Sequence, residues 1–215
     1  MTIAVIADIV ASRQLADRAG AQRVIAEAVQ RVEHDLPVAT APLTAVVGDE
    51  LQGEYASLTD ALASLLLLRL ALPDDVDCRF GIGVGDTRPI ELDGRTLPEG
   101  PAWWAARDAI EHVERLQQRA APLARTGIRL AEGQDASMSE AVALAAAYAL
   151  SRDQLVSAMS ERTRRLTYGR CIGLTQRELA DAEGVSQSAV SQALAAGGSA
   201  AVIEGFDVLA AKARA

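Results

Sequence analysis

The chain has 215 residues, half of them apolar but only 3% aromatic, and a formal net charge of −8. That is enough chain for one full domain and a smaller one, with a core that Ala, Leu, Val and Ile must build. The acidic surplus excludes a broadly basic nucleic-acid coat, and it is uneven: residues 1–150 hold 13 Lys and Arg against 22 Asp and Glu, residues 151–215 hold 8 against 7. The first element is Ile3–Ala7, an apolar run suited to a strand buried on both faces. No basic region precedes it and Asp8 ends it, so it does not read as a signal peptide. Residues Ala16–Leu36 set Val24, Ile25, Ala28, Val29 and Val32 on one helical stripe. Pro37–Pro42 reads as a loop. Leu43–Val47 and Leu51–Tyr55 read as strands around the tight turn Gly48-Asp49.

Ser57 opens a helix that runs to Leu72, before Pro73. Its run Leu65–Leu68 is too short to span a bilayer, and a cytoplasmic protein with no membrane partner is expected. Cys78–Gly85 is a further strand, alternating through Phe80, Ile82 and Val84. The order β-α-β-β-α-β is the ferredoxin-like split βαβ arrangement. It sets the end of the first strand beside the turn of the hairpin. A loop with Pro89, Gly94, Pro98 and Gly100 follows, then a helix Pro101–Arg119, a strand Gly127–Leu130 and a helix Glu140–Leu150. Ser137 and Glu140 form a capping box for that helix. Ser151 and Gln154 form another, which predicts a separate helix from Arg152 to about Arg170. The expected division is an α/β domain over 1–136 and an all-α domain over 137–215. Cys78 and Cys171 fall in different domains on this division and read as buried, reduced thiols. His34 and His112 are lone residues on helices and suggest no site.

Residues 174–194, LTQRELADAEGVSQSAVSQAL, read as a helix-turn-helix. Thr175 and Glu178 form a capping box, Gly184 supplies the turn, and Ser186 caps the second helix. Val190 and Leu194 recur four apart and face inward. Gln187, Ser188, Ser191 and Gln192 fall on the opposite face, where short and amide side chains reach base edges in a major groove. Thr175, Gln176 and Ser186 join the expected DNA-facing set, with Arg162, Arg164 and Arg165 on the preceding helix as phosphate contacts. The alternative is a small helical hairpin with a polar outer face. One such reader contacts only a half-site, so a homodimer is expected.

In the first domain, Asp8 and Asp49 are two carboxylates at adjacent strand ends, the donor type that Mg²⁺ takes. The backbone N–H groups of Ile9, Val10, Ala11 and Ser12 could cradle a phosphate. Against this, isolated Asp residues are common in turns.

Several motifs here carry a resemblance: Asp8-Ile9-Val10-Ala11-Ser12, Gly48-Asp49-Glu50, Arg79-Phe80-Gly81-Ile82-Gly83-Val84-Gly85, and Gly100-Pro101-Ala102 with Ala105-Ala106-Arg107. In that order they resemble the catalytic domain of class III nucleotidyl cyclases over about residues 1–131, and more loosely the diguanylate cyclases. The resemblance implies a cyclase-like fold, Mg²⁺ on Asp8 and Asp49, a purine nucleotide, and Arg107 as the phosphoryl-stabilising catalytic residue if the chain is an enzyme. One position departs from the pattern. Where the family has an asparagine that orients the ribose, this chain has Trp103, followed by Trp104. Indole donates one hydrogen bond and accepts none, so Trp103 puts cyclase chemistry in doubt while leaving it a candidate nucleotide contact. Over nearly its full length the chain is similar to the SatD family, and its C-terminal part is similar to the fourth region of sigma factors. The leading expectation is a DNA-binding transcriptional regulator with a nucleotide-binding and Mg²⁺-binding cyclase-like sensor. The alternatives are an active nucleotidyl cyclase or related phosphoryl-transfer enzyme, and a protein-interaction adaptor.

Overall fold

The computed structural model describes residues 1–11, 17–88, 90–92, 95–134, 137–211 and 213. Its centre is strand β1 (Thr2–Ile9), which is apolar along both faces because both are covered. Ile3, Val5, Ala7 and Ile9 enter the main core, while Ala4 and Ile6 enter a second cluster on the opposite face. That alternation is the two-residue period of a strand acting on an unbroken apolar run. Helix α1 (Arg18–Asp35), strands β2 (Ala39–Val47) and β3 (Glu50–Tyr55), helix α2 (Leu58–Ala71) and strand β4 (Cys78–Gly85) follow. Strand β2 begins inside the stretch expected to be a loop, tolerating Pro42 because it is an edge strand.

A short hairpin, β5 (Ile90–Leu92) and β6 (Arg95–Leu97), lies where a loop was expected. Helix α3 (Pro101–Arg119) and strand β7 (Thr126–Leu130) complete the α/β part. The sheet order is β2-β3-β1-β4-β7, with β1 antiparallel to both neighbours and β7 parallel to β4. Its first four strands have the split βαβ order. Helices α1 and α2 cover one face and α3 the other. The glycines of β4 serve that second face. A methyl group on Gly81 or Gly83 would overlap the backbone carbonyls of Ala106 or Ala102, and one on Gly127 the carbonyl of Ala109. The helix backbone therefore rests directly on two strands.

The remaining helices are α4 (Ser137–Ser157), α5 (Glu161–Cys171), α6 (Gln176–Glu183), α7 (Gln187–Ala196) and α8 (Ser199–Ala210). The expected helix start at Ser151 is corrected. Ser151 lies inside α4, and its hydroxyl donates back to the Ala147 carbonyl. Ser160 is the cap instead, accepting from the Thr163 N–H before α5. Helix α2 is leucine-rich all round because it is sandwiched: the sheet lies on one side, and α5 and α8 pack on the other. Val142, Val156, Tyr168, Val202 and Phe206 thus share one core with Ile3, Leu65 and Phe80. Among the described residues no single helix is long and apolar enough to cross a membrane.

Beneath α2 lies a fully buried ionic cluster. Asp153 of α4 accepts from Arg69 at 2.8 Å, from Arg152 at 3.0 Å, and from the backbone N–H groups of Arg125 and Thr126, both at 2.7 Å. Arg152 also reaches the Thr126 hydroxyl at 2.6 Å and the Leu62 carbonyl at 3.3 Å. Burial alone would raise the Asp153 carboxyl, but the two guanidinium groups and the backbone donors hold it below the usual carboxylate value. The cluster joins α4 to α2 and β7.

Candidate functional site

The register pairs Ala7 with Leu51 and Asp8 with Arg79. It follows that Asp8, the hairpin turn at Asp49 and the start of β4 share one end of the sheet. Arg79 grips Asp8 with two parallel hydrogen bonds, Nε to Oδ1 at 2.9 Å and Nη2 to Oδ2 at 3.0 Å. Its Nη1 reaches Gln117 and Glu114 at 3.1 and 3.2 Å. The two aspartates read as an Mg²⁺ pair thus each face an arginine of the chain. Both Asp8 oxygens face a cation that the chain itself supplies, because antiparallel pairing puts Arg79 directly across from it. Asp49 faces Arg18 at 3.8 Å. Among the described residues no group of three or more Asp, Glu, His or Cys side chains could hold a metal ion. As arranged, the residues do not fit Mg²⁺, which needs open carboxylate oxygens.

Other phosphate-directed groups are engaged too. The Val10 N–H donates to the Asp77 carbonyl at 2.9 Å. Ile9 is buried. Ala11 takes a left-handed backbone, φ 54°, in the turn that leaves β1. Ser12 lies outside the described residues. Arg107 on α3 is held bidentate by Glu50, at 2.6 and 2.7 Å. Burial pushes the Glu50 carboxyl up, but hydrogen bonds from Arg107 and Gln52 prevail and hold it below the usual range. Trp103 is 6% exposed and packs with Ala4, Ile6 and Ile110. Its indole N–H is buried and has no hydrogen-bond partner among the described residues. Trp104 is 59% exposed and donates to Glu99 at 2.6 Å. The adjacent indoles thus separate to core and surface, as 100° per residue on a helix requires.

A second region lies on α6 and α7. Thr175 caps α6 in a full capping box with Glu178, Gly184 takes the left-handed turn at φ 66°, and Ser186 caps α7. Leu179, Ala180, Val190 and Leu194 pack on Leu166 of α5. This leaves Gln187, Ser188, Ser191 and Gln192 exposed on α7, with Thr175 and Ser186 exposed and Gln176 half-buried nearby.

The expected phosphate arginines are placed differently from one another. Arg164 is only 11% exposed and bonds Asp74 at 2.7 Å and the Leu72 carbonyl at 3.1 Å. It ties α5 to the end of α2. Arg165 bridges Glu161 and Glu183, and Arg162 lies 3.8 Å from Glu183. The hydrogen bonds from Arg165 hold the Glu183 carboxyl below its ordinary value. Arg177, which sequence reasoning passed over, is exposed on α6 and, among the described residues, has no ion-pair partner. Its position right after the cap residue and Gln176 was the signal that could have found it.

The model of the SatD family matches residues 2–203. A comparison with the curated proteins finds no match. Among solved structures, two of a bacterial light-regulated adenylyl cyclase align at 12% and 11% identity. Each covers 59% of this chain, and they cover 74% and 42% of those chains, with TM-scores of 0.43 and 0.42. A guanylyl cyclase structure aligns at 13% identity over 52% of this chain and 70% of that one, with a TM-score of 0.39.

Proposed function

Since the chain belongs to the SatD family over a span that includes both the sheet and the helices behind it, we propose that these parts act together as a DNA-binding transcriptional regulator. The observation that carries this reading is the α6–α7 pair. Its apolar side is buried, both N-termini are capped, and a face of Gln187, Ser188, Ser191 and Gln192 is left open to solvent. Amide and hydroxyl side chains on the first turns of such a helix suit base edges in the major groove. Arg177 supplies the phosphate contact, and Arg162 and Arg165 add theirs by exchanging Glu183 for the backbone of the duplex. The regulator works as a homodimer, since two chains on a two-fold site supply the second half-site.

A phosphoryl-transfer reading has less support. Asp8 is held by Arg79, Arg107 by Glu50, and Trp103 occupies the position expected to orient a ribose. A purine nucleotide is for the same reason not part of this proposal.

The test uses the full-length chain. A bound sequence is selected from randomised duplexes, then titrated by fluorescence anisotropy. Gln187→Ala is expected to cost ~1–3 kcal/mol on that sequence and to relax specificity at one position. Arg177→Ala is expected to weaken binding to all sequences and to lower the salt slope by about one unit. Selection that enriches nothing at low salt, with a monomer in light scattering, would reassign the pair to contact with another protein.

A further inference from the structure

The stripe of α1 that faces β2 does not fill the space beneath it. Between them lies a cavity of about 490 Å³ with a largely aliphatic wall that includes Ile25, Val29, Leu43 and Leu51. That volume is in the range of small-molecule sites. The edge strand along it is irregular, its pairing with β3 shifting register at three places. The described polar side chains of the wall are those of Gln22, Gln30, Glu33, Thr44 and Asp49. At one end Gln22 donates to the Gly48 carbonyl at 2.6 Å, beside Asp49. Eleven residues further along the same stripe stands Glu33, so the ends lie about 16 Å apart at the rise of an α-helix.

Each end therefore carries a carboxylate. Asp49 has the distant Arg18, at 3.8 Å with the arginine half exposed. Glu33 is half-buried, and among the described residues no donor or cation counters the burial that raises its carboxyl above the ordinary value. Among the described residues no Lys or Arg lines the cavity.

We propose that this cavity binds an elongated organic cation, an apolar chain with an ammonium group at the Glu33 end and, in longer members of the class, a second at Asp49. The apolar body removes the aliphatic wall from water. The ammonium gives Glu33 the charged hydrogen-bond partner that the described residues do not provide. An anionic amphiphile of the same length meets a carboxylate at either end and is rejected. This site is separate from the α6–α7 surface and stands whether or not the chain binds DNA.

The experiment is calorimetric titration of the full chain with a ten-carbon linear diamine, the matching monoamine and the matching carboxylate. The diamine is expected to bind most tightly, the monoamine less tightly and the carboxylate not at all. Glu33→Gln is expected to weaken diamine binding about tenfold or more, the loss of one charge-assisted contact. The same substitution is expected to keep or raise the melting temperature, since it removes a desolvated charge. Glu27→Gln makes the same charge change at an exposed position of α1 and is expected to leave binding unchanged, which separates the site from general attraction to an acidic chain. Ala26→Phe narrows the cavity from its rim and is expected to weaken both amines. The proposal is overturned if no amine binds, if the carboxylate binds as well as the diamine, or if the Glu33 and Glu27 variants weaken binding equally.

Discussion

Asp153 is a charge taken wholly out of water and kept ionised by the guanidinium groups of Arg69 and Arg152 and the backbone N–H groups of Arg125 and Thr126. Removing it strands Arg69 and Arg152 in the interior, so Asp153→Ala is expected to cost about 3–5 kcal/mol in denaturant melts. Its carboxyl titrates lower in the folded chain than in the unfolded one. The folded state therefore binds fewer protons, and the stability this residue contributes is fully present above about pH 4, the unfolded carboxylate value. It is lost as pH falls through the lower folded value. Melts between neutral and acid pH check this: Asp153→Asn is expected to be less stable at neutral pH and to lose less on acidification. A full acid response in that variant would assign the effect to other carboxylates. None of this was legible in the sequence, where Arg152-Asp153 looks like an ordinary charged pair after a helix cap. The grip of Arg79 on Asp8 was missed for a related reason. The residues are 71 positions apart and meet only through strand register, whereas the expected Mg²⁺ pair was read from strand ends and from the cyclase resemblance. Burial of only one indole of the Trp pair, by contrast, follows from helical geometry, which turns adjacent residues about 100° apart.

Among the elements, β4 and α3 are bound most closely to each other. With no side chain between strand and helix at Gly81 and Gly83, any added atom must push the helix away. Gly83→Ala is expected to lower stability by about 1–3 kcal/mol, and crystallography should show α3 displaced from the sheet. An undisturbed helix at wild-type stability would contradict this account. At the other end of the chain, Thr175→Ala removes a cap from α6 and is expected to cost ~1 kcal/mol. The strand order and the capped α6–α7 turn were legible because local chemistry determines them: alternation, a Gly-Asp turn, a Thr-x-x-Glu box and a glycine with φ above zero. The break at Ser151 was misread because a serine before a Gln three places on looks like a cap, yet here its hydroxyl turns back along the helix. Helix α8 was not assigned, since its apolar and small residues carry no cap signal: its N-cap, Gly198, makes no side-chain hydrogen bond.

At the scale of the molecule, the apolar core does not stop at residue 136. Leucines of α2 contact both the sheet and the helices that follow. Heating should therefore give one transition, with calorimetric and van't Hoff enthalpies equal. A chain ending at residue 136 should expose the outer face of α2 and aggregate. Two separate transitions, or a soluble monodisperse fragment, would show that the halves are independent.

The tryptophan pair turns this unity into something visible. The chain has two tryptophans, side by side on α3, one sealed against the sheet and the other in solvent. Under ultraviolet excitation Trp104 should emit at long wavelength and be dimmed by dissolved iodide. Trp103 should emit further to the blue and ignore the quencher. In Trp104→Phe the remaining light comes from one indole wedged between helix and sheet, so its colour and its shielding should change only when α3 lifts away. That variant gives a natural optical gauge of whether the two layers part before the chain unfolds or together with it.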